Sequence, residues 1–532
     1  VANLPKPGRI RDPVHGYIEF TGIERALLDH PVAQRLRYVG QSAAAHLVFP
    51  DMRVSRLAHS LGAMHLASRF LQAALANAND PERKRIVAAL HALVEGNVGL
   101  GLGDHAERTI MQQGLVAGRD GESADRVTIS LVEQGLRLAS LVHDLGHLPF
   151  SHDFEVALEE HLHSQAKVGA DHAGLLGQAP GGNAIHERIG YALADVVQRE
   201  VFNERLADTP LSKPAETALL IARDILHAPP VPELDPNRHA AVLRWLHSLV
   251  AGELDVDRAD YVQRDVLHYG LAAAGYDLDR LVDNLVPITV DGRGIETAVL
   301  PQGVSAAEAF LVARFRMYAW AVYHHKIQQA AAGLRLVTSD ILASGDHEVN
   351  TFLDDIAVIA TGAATPEATQ RFIDYDDYWW LGIMRQRLRD GVDPRVEPWL
   401  ALFTRRRPGP VSLWKRAADF PHADRRAWNA RLPHRDDLEL RSRWEKARTD
   451  LRARGVLVER LPFRPWREVD GESVLQVRTH EGPPVPLTRL SALTRALGSA
   501  WGDELQVLAF AERPNLIDPP DVLAALKPAL RT

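Results

Sequence analysis

His143 and Asp144 stand side by side at the end of an apolar, helix-periodic run (Leu131, Val132, Leu136, Leu138, Leu141, Val142), and His147, His152 and Glu155 follow across a Gly-Pro break. Imidazole nitrogen and carboxylate oxygen together suit a divalent Mn, Fe, Mg, Ni or Zn ion, with no thiolate needed. Neighbours on a helix point about 100° apart, so such an ion sits off the helix end and draws further ligands from other segments. A single His-Asp pair reads first as a core histidine beside a helix-end aspartate. Ionisable groups this dense in an apolar stretch read as a site, because buried charge without a partner or a metal costs on the order of several kcal/mol.

Other segments offer the missing groups. Arg56 to Leu71 is an amphipathic helix with Leu57, Leu61, Leu66 and Phe70 as its core face, on which Arg56 and His59 project together one turn apart. Glu253 to Gly270 sets Asp255, Asp257, Asp260 and Asp265 among Leu254, Val256, Val262 and Val266; the glycine and terminal glutamate of a calcium loop are missing, and a carboxylate completing the His/His-Asp site is the better reading. Ala184 to Val197 is a helix with His186 in its first turn, where the dipole disfavours a protonated ring. Ala313 to Leu336 reads as one long helix bearing Arg314, Arg316, Tyr323, His325 and Lys326, cations that suit either a polyphosphate or a solvated face.

These segments need a scaffold. At 532 residues the chain exceeds one typical core of ~150 residues, so one large domain with an appendage, or two to three domains, is expected. The expected fold is mainly α: a helical core over residues 1–345, with a short N-terminal β-hairpin in Arg9 to Phe20, and a smaller C-terminal mixed α/β region over 346–532. Irregular insertions are expected at about 76–130 and 163–183. The glycine run Gly96 to Gly103 lacks the Lys-Ser/Thr of a phosphate loop and reads as part of the first insertion. Strand-like runs at Val456–Val458, Val474–Val477 and Leu505–Ala509 and a helix-like Thr488–Leu497 mark the C-terminal region, after a basic stretch with Arg405, Arg406 and Arg407.

A net charge of -8 with both signs intermixed argues against an obligate nucleic-acid coat protein. The absence of cysteine excludes disulfides, Fe-S clusters, zinc ribbons and cysteine nucleophiles, and makes a reducing cytosol the simplest compartment. No run approaches the ~18 apolar residues of a membrane span, so no membrane partner is expected.

The elements Arg56-x-x-His59-Ser60-Leu61-Gly62, His143-Asp144-Leu145-Gly146-His147 with Pro149-Phe150-Ser151-His152, and Asp255-Val256-Asp257-Arg258-x-Asp260-Tyr261 resemble, in order and context, the signature of the HD-domain phosphohydrolase superfamily, in its branch of deoxynucleoside triphosphate triphosphohydrolases. The resemblance runs from Arg9 to about Leu336 and continues weakly beyond. It implies a divalent metal on His59, His143, Asp144 and Asp257, with a second if His147, His152 or His186 ligates. It implies catalytic roles for His147 and His186, and for His152 as the donor of a proton to the leaving 5′ oxygen. Glu155 falls where the animal member with a sterile-alpha-motif domain carries an aspartate. For substrate it implies Arg56 at the phosphate or base, Gln41 and Asp265 near the sugar 3′-hydroxyl, Tyr261 beneath the deoxyribose, Arg258 in place of a phosphate-binding lysine, and Tyr323 with Arg314 or Arg316 nearby. Asp29, Gln34 and Arg37 match three positions of a regulatory nucleotide site, whereas Arg11 replaces an asparagine of that site. The implied activity is hydrolysis of a deoxynucleoside triphosphate to deoxynucleoside and inorganic triphosphate by a cytoplasmic homo-oligomer. The alternatives are a phosphodiesterase or nuclease on cyclic nucleotides or single-stranded nucleic acid, and an inactive nucleotide-sensing or nucleic-acid-binding scaffold.

Overall fold

Asp12 and Gly16 close the expected hairpin. Strands β1 (Gly8–Asp12) and β2 (Gly16–Phe20) pair antiparallel with Asp12 opposite Gly16. The Asp12 carboxylate accepts from the backbone N–H groups of Val14 and His15, each at 2.9 Å, and Gly16 takes the positive φ of 76° that the turn requires. The computed structural model describes the whole chain except residues 1–5, 99–122, 167–183, 229–237, 272–274, 291–293, 406–409, 434–436, 462–467, 470–471, 480–481 and 532.

A capping box between Thr21 and Glu24 starts α1 (Gly22–Leu28), and Pro31 occupies the first turn of α2 (Pro31–Arg35). There follow α3 (Arg56–Asn77), α4 (Asp80–Val98), α5 (Ser123–Val142), α6 (Ser151–Ala166), α7 (Ile185–Val201), α8 (Ser212–Leu226), α9 (Arg238–Val250) and α10 (Val256–His268). Helix α3 is the axis of this group. Its Ala63, Met64, Leu66, Ala67, Phe70 and Leu71 are fully buried, and it packs between α5 and α10.

Two expectations are corrected. The segment 76–130 is not irregular where it is described: α3 runs through Asn77, α4 fills 80–98 and α5 starts at Ser123. Ile86, Leu90 and Leu93 give α4 the buried stripe that makes it a helix despite its Asn/Asp/Pro start. The rest of the Gly96 to Gly103 run lies outside the described residues. The second correction concerns Ala313 to Leu336. After α11 (Leu278–Asp283) and the antiparallel pair β3 (Leu285–Val290) and β4 (Gly294–Val299), helix α12 (Val304–Arg316) passes into a π-helical turn, Met317–Val322, and stops at Tyr323. A new helix, α13 (His325–Leu342), is capped by the His324 ring. No proline or glycine marks the interruption, so the sequence reads as one helix across it.

Beyond it, α14 (His347–Ala360), α15 (Pro366–Phe372), α16 (Asp377–Asp390) and α17 (Glu397–Arg405) continue the helical layer. Helix α14 packs on α7 and α17 on α13, and Trp380 of α16 meets Phe154 of α6 edge-on with centroids 4.8 Å apart. The remaining elements are β5 (Val411–Ser412), α18 (Arg425–Ala430), α19 (Leu438–Ala453), β6 (Val456–Arg460), β7 (Glu468–Val469), β8 (Glu472–Ser473), β9 (Gln476–Val477), β10 (Val485–Pro486), α20 (Leu487–Leu490), α21 (Ala492–Trp501), β11 (Val507–Ala511) and α22 (Pro519–Leu526). Strand β11 lies between β5 and β6, antiparallel to both, while β9 joins the earlier hairpin parallel to β4. The fold is thus mainly α, with a short N-terminal hairpin and small C-terminal sheets. None of the described helices is long and apolar enough to cross a membrane.

Candidate metal centre and substrate cavity

Ser55 caps α3, so Arg56 and His59 lie in its first turn. His59 is fully buried, with Nδ1 2.8 Å from Asp260 Oδ2. A carboxylate accepts, so Nδ1 carries the proton and Nε2 presents its lone pair. His143, just past the end of α5, donates from Nδ1 to the Ser140 carbonyl at 2.7 Å, which leaves its Nε2 in the same state. Both Nε2 atoms are buried without a hydrogen-bond partner. Asp144 Oδ2 lies 3.7 Å from the first and Oδ1 3.4 Å from the second; Asp257 Oδ1 lies 3.0 and 4.0 Å from them. The 3.0 Å approach lacks hydrogen-bond geometry. His59, His143 and Asp144 thus form a group able to hold a cation, Asp257 Oδ1 approaches both nitrogens from a third segment, and the donor set fits a divalent ion. Burial opposes charge on His59, yet Asp257 and Asp260 push its pKa up to about 10. Burial likewise opposes ionisation of Asp144, but Arg56, His143 and His147 hold it well below the usual carboxylate range. The field that would retain a proton here also favours a cation.

The support behind these ligands went unassigned in the sequence. Asp260 accepts from His59, from His15 Nε2 at 2.7 Å and from Arg264 at 2.9 and 2.8 Å, and Arg264 continues to Asp12 at 2.8 Å. The hairpin turn is therefore tied to the carboxylate that orients His59, a candidate metal ligand. Gly62 is obligatory beside it, since a Cβ there would stand 1.8 Å from Asp260 Oδ1. The one-turn spacing of Asp260 and Arg264 was the available sequence signal. On the other side, Arg56 donates to Asp144 Oδ2 at 2.7 Å and to Ser151 Oγ at 3.0 Å, and Ser151 donates to the Gly40 carbonyl at 2.9 Å. Phe150 and Ser151 have φ values of 53° and 55°, a region unfavourable for side chains of their size. Asp377 holds this bend, accepting from the backbone N–H of Phe150 at 2.6 Å and of Gly40 at 2.9 Å.

His147, His152 and His186 bring ring nitrogens within 4.8 Å of one another and form a second group able to hold an ion. His147 Nε2 lies 3.1 Å from Asp144 Oδ1, and its ring stacks on His186 at 4.2 Å. Glu155 accepts from His186 Nδ1 at 2.6 Å and from its backbone N–H at 2.9 Å. His152 is two-thirds exposed to the cavity, with Nδ1 3.6 Å from Glu155. Burial, with Arg56 and His186, keeps the His147 pKa well below that of a free imidazole. Burial also works against a charged His186, but Glu155 raises its pKa. Burial opposes ionisation of Glu155, and its bonds to His152 and His186 outweigh that and lower its pKa.

A raised histidine stabilises fully below its unfolded pKa of ~6.5 and loses that contribution as pH rises through its folded value; a depressed glutamate stabilises fully above ~4.5 and loses it as pH falls through its folded value. The stability difference between metal-free wild type and Glu155→Gln should peak between about pH 4.5 and 6.5 and shrink in alkaline buffer. Thermal melts across pH test this; a difference that keeps growing above neutrality contradicts the pairing.

Asp257, Tyr261 and Asp265, successive turns of one α10 face, line a cavity of about 1080 Å³ together with Gln41, Arg56 and Tyr323, while Asp260 and Arg264 face the hairpin. Gln41 Oε1 and Asp265 Oδ1 are buried acceptors without partners, and burial pushes Asp265 up to about 7. The π-helical turn contributes Met317, Tyr318 and Val322 to the same wall. Three expected substrate residues lie outside it. Arg258 is paired with Asp255 at 2.6 Å, Arg314 lies 3.5 Å from Glu253, and Arg316 sits over the Trp320 ring at 5.3 Å. Arg335 and Arg460, unassigned in the sequence, line the cavity instead. Of the proposed regulatory residues, Arg37 donates to Gln34 Oε1 at 2.6 Å, Gln34 donates to the Leu28 carbonyl, and Asp29 lies 3.6 Å from Arg25. Arg37 lines a separate cavity of about 560 Å³ with Tyr38, Arg53 and Tyr378; Asp29 and Gln34 do not.

Among known proteins, the family described as HD associated region matches residues 276–378, a stretch that crosses the expected boundary at 345. An uncharacterized protein of Methanocaldococcus jannaschii is 24% identical over 360 residues, covering 66% of this chain and 54% of that protein. The deoxynucleoside triphosphate triphosphohydrolase SAMHD1 of Bos taurus is 26% identical over 272 residues, covering 49% of this chain and 36% of SAMHD1. The chain thus spans about half, or less, of the length of these relatives. A phosphohydrolase from Bacteroides thetaiotaomicron superposes with a TM-score of 0.56 at 18% identity, over 96% of this chain and 100% of that one, and so shares the fold. A hypothetical protein from Aquifex aeolicus does so with a TM-score of 0.56 at 17% identity, over 98% and 100%.

Proposed function

We propose that this chain, which is similar to HD-domain, dNTPase-like phosphohydrolases, cleaves deoxynucleoside triphosphates to deoxynucleoside and inorganic triphosphate. The observation that carries the reading is the pair of buried, unpartnered Nε2 atoms of His59 and His143, converging with Asp144 and Asp257 beside a cavity large enough for a nucleotide, which His143, Asp144 and Asp257 line.

A divalent ion on those four residues supplies Lewis-acid polarisation of a phosphoryl oxygen and activation of water. The chain's own residues do the rest. Asp260 and the Ser140 carbonyl fix the tautomers that leave both ligand nitrogens free. His152, open to the cavity and beside Glu155, delivers a proton to the departing 5′ oxygen. Arg56 balances Asp144 and orients it through a charge-assisted bond. Gln41 Oε1 and Asp265 Oδ1, acceptors without partners, suit a sugar hydroxyl. A phosphodiesterase is the second reading, favoured by one observation: the His147, His152 and His186 nitrogens cluster closely enough for a second cation, as in two-metal cleavage. A homo-oligomer and a regulatory nucleotide at Asp29, Gln34 and Arg37 remain parts of the proposal that rest on the family resemblance.

Incubation with the four dNTPs, four rNTPs, a cyclic nucleotide and a single-stranded oligonucleotide, in Mn and in Mg, separates the readings by chromatography. Release of intact inorganic triphosphate from dNTPs supports the proposal. Cleavage of the oligonucleotide or cyclic nucleotide alone replaces it with the second reading, and no turnover leaves a binding scaffold. Tyr261 under the deoxyribose would exclude a 2′-hydroxyl sterically, so Tyr261→Ala should narrow the ratio of dATP to ATP turnover. Equal turnover of the two by the unmodified protein contradicts that role.

A further inference from the structure

The cations that the family resemblance assigns to a phosphate tail are compensated away from the cavity, Arg258 by Asp255 and Arg314 by Glu253. Three arginines line the cavity itself. Arg56 is committed to Asp144 and Ser151. Arg335 is balanced by Glu459 at 3.0 Å and approaches Asp153 at 3.8 Å. Arg460 differs from both: it has no ion pair and no side-chain hydrogen bond among the described residues, although it is half-buried. Burial, together with the like charge of Arg441, lowers its pKa. Its backbone is fixed, since Arg460 pairs with Val507 across β6 and β11 and the next N–H, of Leu461, donates to the Gln506 carbonyl at 2.8 Å. A half-buried, uncompensated guanidinium on an ordered strand end is stabilised by an anion, and its planar donor fork matches phosphoryl oxygens.

We propose that Arg460, carried by strand β6 of the C-terminal region, is a substrate-binding residue that holds a phosphoryl group of the polyphosphate tail. The inference rests on the nucleoside-triphosphate reading of the cavity and gives the C-terminal region a direct part in it.

The test is calorimetric titration of the full-length, metal-loaded protein with inorganic tripolyphosphate and, separately, with deoxyadenosine. Relative to wild type, Arg460→Ala should weaken tripolyphosphate binding by about tenfold or more, the scale of a lost charge-assisted hydrogen bond. Arg460→Lys should recover part of it, and deoxyadenosine binding should be unchanged in both. Unaltered tripolyphosphate affinity in Arg460→Ala overturns the proposal. So does weakened binding of deoxyadenosine, alone or with tripolyphosphate, because that assigns Arg460 to the nucleoside or to the shape of the cavity. The titration needs no turnover: a protein that hydrolyses no dNTP yet binds tripolyphosphate through Arg460 keeps this inference and loses the proposed reaction.

Discussion

Replacing Asp144 or Asp257 by alanine is expected to abolish metal binding and hydrolysis together. Asp144 approaches the two unpartnered imidazole nitrogens with one oxygen each and Asp257 with Oδ1, all within 4.0 Å, so either loss removes a proposed ligand from a four-residue set drawn from three segments. The variants differ in what else they disturb. Asp144→Ala strands the buried Arg56 guanidinium, so this protein should also melt lower; Asp144→Asn preserves shape and separates the two effects. The Asp257 side chain is 35% exposed, and its alanine variant should fold with little loss. Because an ion held by these residues would tie α3, the end of α5 and α10 together, wild type should gain stability on loading, by about 2.7 kcal/mol at a metal concentration a hundredfold above Kd. Neither alanine variant should show that gain. Elemental analysis and metal-dependent melts are the measurements, and full occupancy in both variants would sink the assignment.

His152→Ala should behave differently, keeping metal and nucleotide while kcat falls on the order of 10²–10⁴, the span of general acid–base catalysis. His152 is absent from the convergent set of His59, His143, Asp144 and Asp257, and its ring is mostly exposed to the cavity, so its removal leaves no void in the core. Single-turnover rates with metal content measured on the same samples decide the matter. Loss of metal along with rate would make His152 a ligand of a second ion held with His147 and His186.

Much of this site was legible because its chemistry sits on helices whose spacing is regular. Arg56 with His59, and Asp257 with Asp265, follow from helical geometry, and the Asp12-Pro13/His15-Gly16 turn followed from turn chemistry. What stayed hidden depends on contacts that no local pattern encodes. His15 meets Asp260, and Asp377 meets Gly40 and Phe150, across most of the chain. The break before α13 has no local signal because no proline or glycine marks it between Val304 and Ala332. Arg258 illustrates the converse. Its pairing with Asp255 one turn earlier is readable from spacing, whereas the family resemblance alone points to phosphate.

The Asp377 carboxylate also sets a sequence of events during synthesis. Chains emerge from the ribosome N-terminus first, at ~5–20 residues per second. Every metal-ligating residue proposed here precedes residue 260, yet the bend at Phe150 and Ser151 that steadies Arg56 against Asp144 is held by a group far downstream. A nascent chain exposing only the ligands has that bend unsupported, with backbone strain that nothing yet offsets. The finished geometry of the loop therefore waits for α16, whose Trp380 seals against Phe154 on the same side. Completion of the proposed metal centre in this sense trails the synthesis of its ligands by the stretch of chain between Asp257 and Asp377.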